Sequence, residues 1–396
     1  MLSAYFENGT LGEKDEQPKI GDMTMIIKNA SVFQESGTFK ADDIFISGAY
    51  FADDTHEVEI LDASDCVAIP GLIDVHIHGC VGYDFSTADA TGLLEMTRYQ
   101  AQNGVTAVCA TTLTLPEIQL AEACRRIAAH DDPNGAAIAG IYLEGPFLSG
   151  KKAGAQNPDY LQKPDIMEIR RLQEAANGLI KLIALAPELE GAIELIGMLR
   201  GEITCVLGHT TANYDLAQQA FVSGARQVAH LYNAMPPFHH REPGVIGAAM
   251  DAPDCRVELI CDCIHIHPSV VRATMRMFGD DRVIFVSDGI MATGLDDGCY
   301  ELGGLAVAVS GRHSYLAGSE TIAGSVTNLM DCLKIAVSEM GIPLGSVVKC
   351  ATVNPAKALG VFDQRGSIKP GKCADLVLLN EDLSIRAVFL RGSRIV

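Results

Sequence analysis

The chain has 396 residues, with 30 Lys and Arg against 50 Asp and Glu, a formal charge of −20. That balance excludes general binding to nucleic acid or anionic membrane, but it leaves room for a small anionic substrate held by local cations such as Lys151, Lys152 and Arg241. Nearly half of the residues are hydrophobic, enough for a large core, yet no apolar run has the length to span a bilayer.

Residues 1–24 read as a polar extension, because MLSAYFENGTLGEKDEQPKIGD lacks the basic start and apolar stretch of a secretory signal. From 25 to 69 the pattern is short alternating strands, MIIKNASVF, DDIFISGAYFA and EILDASDCVAI. The last segment, 361–396, has the same character, so both chain ends are expected to pair into one small β-sandwich. The twelve cysteines show neither a disulfide framework nor paired C-x2-C knuckles and read as buried thiols of a cytoplasmic protein. Cys261 and Cys263 are expected on one face of a strand.

Between 70 and 360, eight apolar segments alternate with helical patterns such as TGLLEMTRYQAQN and PEIQLAEACRRIAAH. In order the segments are CVAIPGLIDVHIHG, GVTAVCATT, AIAGIYLEGPF, LIKLIALAPE, ITCVLGHT, QVAHLYNAM, VELICDCIHIHP and VIFVSDGI. Near-continuous apolar strands suit a parallel sheet buried on both faces, and eight of them close a barrel. The predicted fold is therefore α/β: a (β/α)8 TIM barrel with a small β-sandwich domain formed by both chain ends.

Most of these segments end in a residue that binds metal or moves a proton, and in a barrel all strand C-termini open onto one face. Glu144, His209 and His230 end three different strands. Two imidazoles and a carboxylate suit a divalent transition metal, Zn2+ foremost, with Fe2+, Mn2+ and Co2+ able to use the same ligands. His76 and His78, one residue apart, place both rings on one strand face and offer a second metal position. Asp288, after VIFVS, is the candidate acid/base. His265 and His267 are expected to close the seventh strand on one face, His265 toward substrate and His267 in a turn. The TIAGS stretch would let backbone approach a ligand.

At this point PGLIDVHIHG, YLEGPFLSGKKAGAQNP, GHTTANYD, HLYNAMPPFHHREPG, VSDGI, ATVNPAKALG and GSIKPGKCADLV resemble the N-acetylglucosamine-6-phosphate deacetylases of the amidohydrolase superfamily. The resemblance spans Pro70 to Val377. It implies one or two divalent metal ions per subunit, with Glu144, His209 and His230 as ligands, and Asp288 as the catalytic acid/base. It further implies substrate contacts at Ala155, Asn233, Ala234, Arg241, His265, Ile322, Ala323 and Gly324. The substrate would be a phosphorylated amino sugar, and the enzyme a homodimer in which Arg241 reaches the neighbouring subunit's substrate phosphate. Some relatives have a histidine where this chain has Gln156. There Gln156 would stabilise the oxyanion as an uncharged donor. Alternatives are the galacto epimer as substrate, or another amide on the same barrel. A relative that had lost its chemistry would lack some of these residues, and none is missing here.

Overall fold

A computed structural model describes residues 24–55 and 59–396. The polar extension expected over residues 1–24 lies, apart from Thr24, outside the described residues.

Eight parallel strands form the central sheet: Leu72–Ile77, Val105–Thr112, Ala137–Glu144, Ile180–Leu185, Thr204–Leu207, Gln227–Val228, Arg256–Ile260 and Val283–Val286. Each pairs with its sequence neighbour, and Ile77 bridges to Gly289 to bring the last strand against the first. This is the TIM barrel that the alternation predicted. Period-two alternation sorts the side chains. Leu182 and Ala184 pack inward with Ile73, Val75, Ile284 and Val286, while Ile183, Leu185, Val283 and Phe285 pack outward against the helices.

The first predicted segment is two strands, not one. Val67–Pro70 belongs to the outer sheet and Leu72–Ile77 to the barrel. They divide at Gly71, where a Cβ would fall 2.1 Å from Thr106 Oγ1, so a side chain there would prevent the first strand from seating against the second. Val67–Pro70 runs antiparallel to Leu376–Leu379, pairing Val67 with Leu379 and Pro70 with Leu376. Both chain ends thus share one eight-stranded sheet, wrapped around a core that includes Ile27, Ile46, Phe51, Leu376 and Phe389.

The seventh strand is shorter than predicted. It stops at Ile260, because the Asp262 carboxylate accepts the N–H groups of Ile264 and His265 at 2.9 Å each and turns the chain. Cys263 is left-handed (φ 65°), so Cys261 and Cys263 do not share a strand face. Nor do His265 and His267 close that strand: His267 caps the helix Pro268–Phe278 by accepting from the Ser269 N–H. The alternating pattern had disguised a loop as a strand.

After the eighth strand comes a three-stranded antiparallel sheet that the sequence reading did not contain, Gly298–Leu302, Leu305–Ser310 and His313–Leu316. Its first turn is Gly303-Gly304, both with positive φ, as a tight hairpin requires. No helix among the described residues is long and apolar enough to cross a membrane.

Candidate active site

The barrel strands deliver their polar ends to one face. Glu144 is the last residue of the third strand, and His209, His230 and Asp288 each lie two residues past the end of theirs. Those three, with Tyr232 and Ala234, adopt left-handed backbone, φ 45°, 23°, 50°, 80° and 51°. Each such residue costs on the order of 1 kcal/mol. Surrounding hydrogen bonds hold them: Asp288 N–H donates to the His76 carbonyl at 2.9 Å, and Ser325 N–H to the Asp288 carbonyl at 2.8 Å. At the first strand the register slips between Asp74 and Ile77 against Val108 and Ala110. That bulge re-aims the strand end, so Ile77 packs outward although Ile73 and Val75 pack inward.

The ring nitrogens converge on Glu144. Its Oε1 lies 3.0 Å from His230 Nε2, 3.1 Å from His209 Nε2 and 3.4 Å from His76 Nε2. Its Oε2 lies 3.1 Å from His78 Nε2. Asp288 Oδ1 is 3.4 Å from His78 Nε2 and 3.6 Å from His76 Nε2. His209 Nδ1 is 2.9 Å from the Lys152 carbonyl, which can only accept, so the ring proton sits on Nδ1 and the Nε2 lone pair faces Glu144. His209 Nε2 and His230 Nε2 are only 3.2 Å apart. Lone pairs of nitrogen and carboxylate oxygen crowded this closely need a cation among them.

Electrostatics point the same way. Burial resists charging His76, but Glu258, Glu144 and Asp288 outweigh it and raise the ring well above an ordinary imidazole. Burial resists it at His78 too, yet Asp288 and Glu144 lift that ring to about 9. His209 is raised against its burial by Glu144. Burial also disfavours ionised Glu144 and Asp288, and the histidines nevertheless hold both carboxyls below their usual range. The cluster calls for positive charge, which a divalent ion meets with the histidines neutral. Ligand atoms of His76, Glu144 and His230 lie within 4.8 Å of one another, as do those of His76, His78 and Asp288, so the donor set fits one metal ion or two.

The amidohydrolase family model matches residues 67–395. The chain belongs to the amidohydrolase family. It is 36% identical over 383 residues to the N-acetylglucosamine-6-phosphate deacetylase of Bacillus subtilis, covering 93% of this chain and 96% of that one. It is 30% identical to an N-acetylgalactosamine-6-phosphate deacetylase of Escherichia coli, over 93% of this chain and 99% of the relative. Among solved structures, a mutant Mycobacterium smegmatis N-acetyl-D-glucosamine-6-phosphate deacetylase in complex with N-acetyl-D-glucosamine-6-phosphate superposes with a TM-score of 0.88. The identity is 31%, and the match covers 94% of this chain and 100% of that one.

In this amidohydrolase the cluster forms one end of a cavity of about 560 Å3. Glu144, Gln156, His78, His209, His230 and Asp288 line it, and so do Ala155, Asn233, Ala234, His265, Ile322 and Gly324. Lys151 and Lys152 contribute cations, and Leu302 brings in the unforeseen three-stranded sheet. Three expected residues are elsewhere. His76 lies behind the wall, fully buried, and Ala323 is buried against Ile290 and Val307. Arg241 is exposed, its guanidinium 2.8 Å from His240 Nε2, in a separate recess of about 1120 Å3 beside Tyr214 and Glu242.

Gln156 is held at both ends. Its carbonyl accepts the Thr114 N–H at 2.8 Å, which fixes the flip, and its amide donates to Glu144 Oε2. His265 donates from Nδ1 to Asp262 Oδ2 at 2.7 Å, leaving Nε2 as its free ring nitrogen. Sequence reading missed Asp262, and it missed Glu258, which bonds His76 Nδ1 at 2.7 Å. The available signal for Glu258 was a single acid inside the apolar run VELI.

Proposed function

We propose that this amidohydrolase removes the acetyl group of N-acetylglucosamine 6-phosphate, releasing acetate and glucosamine 6-phosphate in amino-sugar catabolism. The observation that carries the reading is the convergence of His209 Nε2 and His230 Nε2 on Glu144 Oε1, with Asp288 beside them, at one end of a cavity of substrate size. The sugar-phosphate deacetylases that match nearly the whole chain support the choice of substrate.

Glu144, His209 and His230 are assigned to one divalent ion, Zn2+ foremost, and His76 with His78 to a second. A divalent ion supplies Lewis acidity toward the acetamide carbonyl and lowers the pKa of water. Asp288 takes the proton of the attacking water as the new C–O bond forms, then returns it to the amide nitrogen. That nitrogen leaves poorly until protonated, so the C–N bond breaks with the amine as leaving group. The Gln156 amide has two hydrogens, and the one not given to Glu144 serves the developing oxyanion. His265, Asn233 and the backbone at Ala234 hold the phosphate end, with Ala155, Ile322 and Gly324 shaping the sugar site and Ala323, buried outside the cavity, packing beneath that segment.

Arg241 is assigned to the active site of a second copy in a homodimer, which suits its position outside its own cavity. A guanidinium matches phosphate bidentately. The reading divides the chain into a sandwich (25–69 and 361–396) and a barrel (70–360). It places the enzyme in the cytoplasm, where its twelve unpaired cysteines stay reduced.

The test is acetate release from N-acetylglucosamine 6-phosphate, its galacto epimer and unphosphorylated N-acetylglucosamine, with metal content measured on the same sample. Turnover that needs both metal and phosphate supports the reading. Faster turnover of the epimer would transfer it to that substrate, and a fully metallated sample inert on all three would overturn it.

A further inference from the structure

We infer that Glu258 is a positioning residue that commits His76 to a second divalent ion and ties that position to the first; the inference rests on the metal-dependent reading above. Glu258 lies in the middle of the seventh strand and is fully buried. Its Oε2 accepts from His76 Nδ1 at 2.7 Å and from the His230 backbone N–H at 3.2 Å. Its Oε1 accepts from Gln227 Nε2 at 2.6 Å. One carboxylate therefore grips a ring from the first strand, the backbone of a histidine assigned to the first ion, and a buried amide from the sixth strand.

A carboxylate only accepts, so the His76 proton sits on Nδ1 and the Nε2 lone pair points the other way. Among the described residues that Nε2 has no hydrogen-bond partner, and it is buried. It faces Glu144 Oε1 at 3.4 Å and Asp288 Oδ1 at 3.6 Å, near His78 Nε2, which approaches the same two carboxylates at 3.1 and 3.4 Å. The Tyr142 ring packs edge-on against His76 at 4.8 Å and blocks rotation out of this orientation. A carboxylate–histidine pair of this kind sets tautomer and ring direction for a metal ligand. Stability alone does not explain the group, since a hydrophobic side chain of similar volume would be at least as stabilising in a barrel wall.

The experiment compares wild type with Glu258→Gln. Bound metal per chain is counted by mass spectrometry after equilibration, and affinities are measured by chelator competition. Wild type is expected to hold two ions. The variant is expected to keep the first and to bind the second ~10–100-fold more weakly, the usual effect of losing such a partner. Unchanged affinity for the second ion, or a wild type that binds only one, overturns the inference. Should the variant fail to fold, histidine-15N NMR of metal-loaded wild type, assigned with His76→Asn, still decides: an Nε2-protonated His76 overturns it. Metal counts do not depend on the substrate, so a wild type with two ions but no acetate release would sink the deacetylase reading and leave this one standing.

Discussion

Replacing Asp288 by Asn separates proton transfer from architecture. The backbone at Asp288 is left-handed, φ 50°, a region that Asn tolerates as well as Asp, whereas Ala there would add on the order of 1 kcal/mol of strain. Its anchoring bonds are main-chain ones, to the His76 carbonyl and from the Ser325 N–H, and both survive the substitution. The side chain's nearest basic atoms are 3.4 and 3.6 Å away, too far for strong hydrogen bonds, so little direct bonding is lost. The fold and the melting temperature should therefore hold within a few degrees. An amide cannot take the water proton or return it, so kcat is expected to fall ~10²–10⁴-fold, about 3–5 kcal/mol on the barrier. The assay is acetate release at saturating N-acetylglucosamine 6-phosphate, beside circular-dichroism melting and metal content. Near-normal turnover of a fully metallated D288N protein would refute the role given to Asp288.

Other expectations follow from the same geometry. Dialysis against a chelator should abolish turnover and lower the melting temperature, since an ion at a hundred times its Kd stabilises by ~2.7 kcal/mol; re-adding Zn2+ should restore both, and a melting curve indifferent to metal would count against the site. Gln156→Leu leaves the Thr114 N–H without its acceptor and removes one donor to Glu144, so urea denaturation should show ~1–3 kcal/mol lost. The same variant should lose ~10²-fold in kcat if its amide serves the oxyanion. Asp375→Ala strands the mostly buried Arg365 guanidinium and removes the acceptor of the Arg391 N–H, which predicts ~3–5 kcal/mol of destabilisation in thermal melts. Burial, helped by Glu117 and Asp165, pushes the Glu168 carboxyl up to about 7. Between about 4.5 and 7 the folded chain then binds more protons there than the unfolded one, so stability falls as pH rises through that window. Glu168→Gln should consequently be more stable than wild type at pH 8 by ~3 kcal/mol and close to it at pH 4.5, as read by urea titration.

All eight barrel strands were legible in the sequence, because a strand buried on both faces is mostly apolar along its length and a polar residue at its end stands out. Glu144, His209, His230 and Asp288, which the barrel gathers on one face, stood out that way, and the pairing of the chain ends was legible from their shared alternation. The seventh strand misled, because CDCIHIH alternates like a strand while the Asp262 carboxylate takes the backbone N–H groups that would have continued the ladder. The three-stranded sheet at 298–316 lies outside the β/α alternation, although LAVAVS and the Gly303-Gly304 turn carried a hairpin signal.

What the amino-acid order determined by itself is the set of elements and the chemistry at their ends, since burial and turn propensity are local properties written in neighbouring residues. The tertiary structure alone decided which ends meet and how they are aimed. Glu258 reaches His76 across 182 positions. The register slip after Asp74 comes from pairing with the second strand, and Arg241 lines a separate recess rather than the cavity that holds the histidine–carboxylate cluster. Such relations arise only when the barrel closes, because they depend on distances between strands that no stretch of sequence contains.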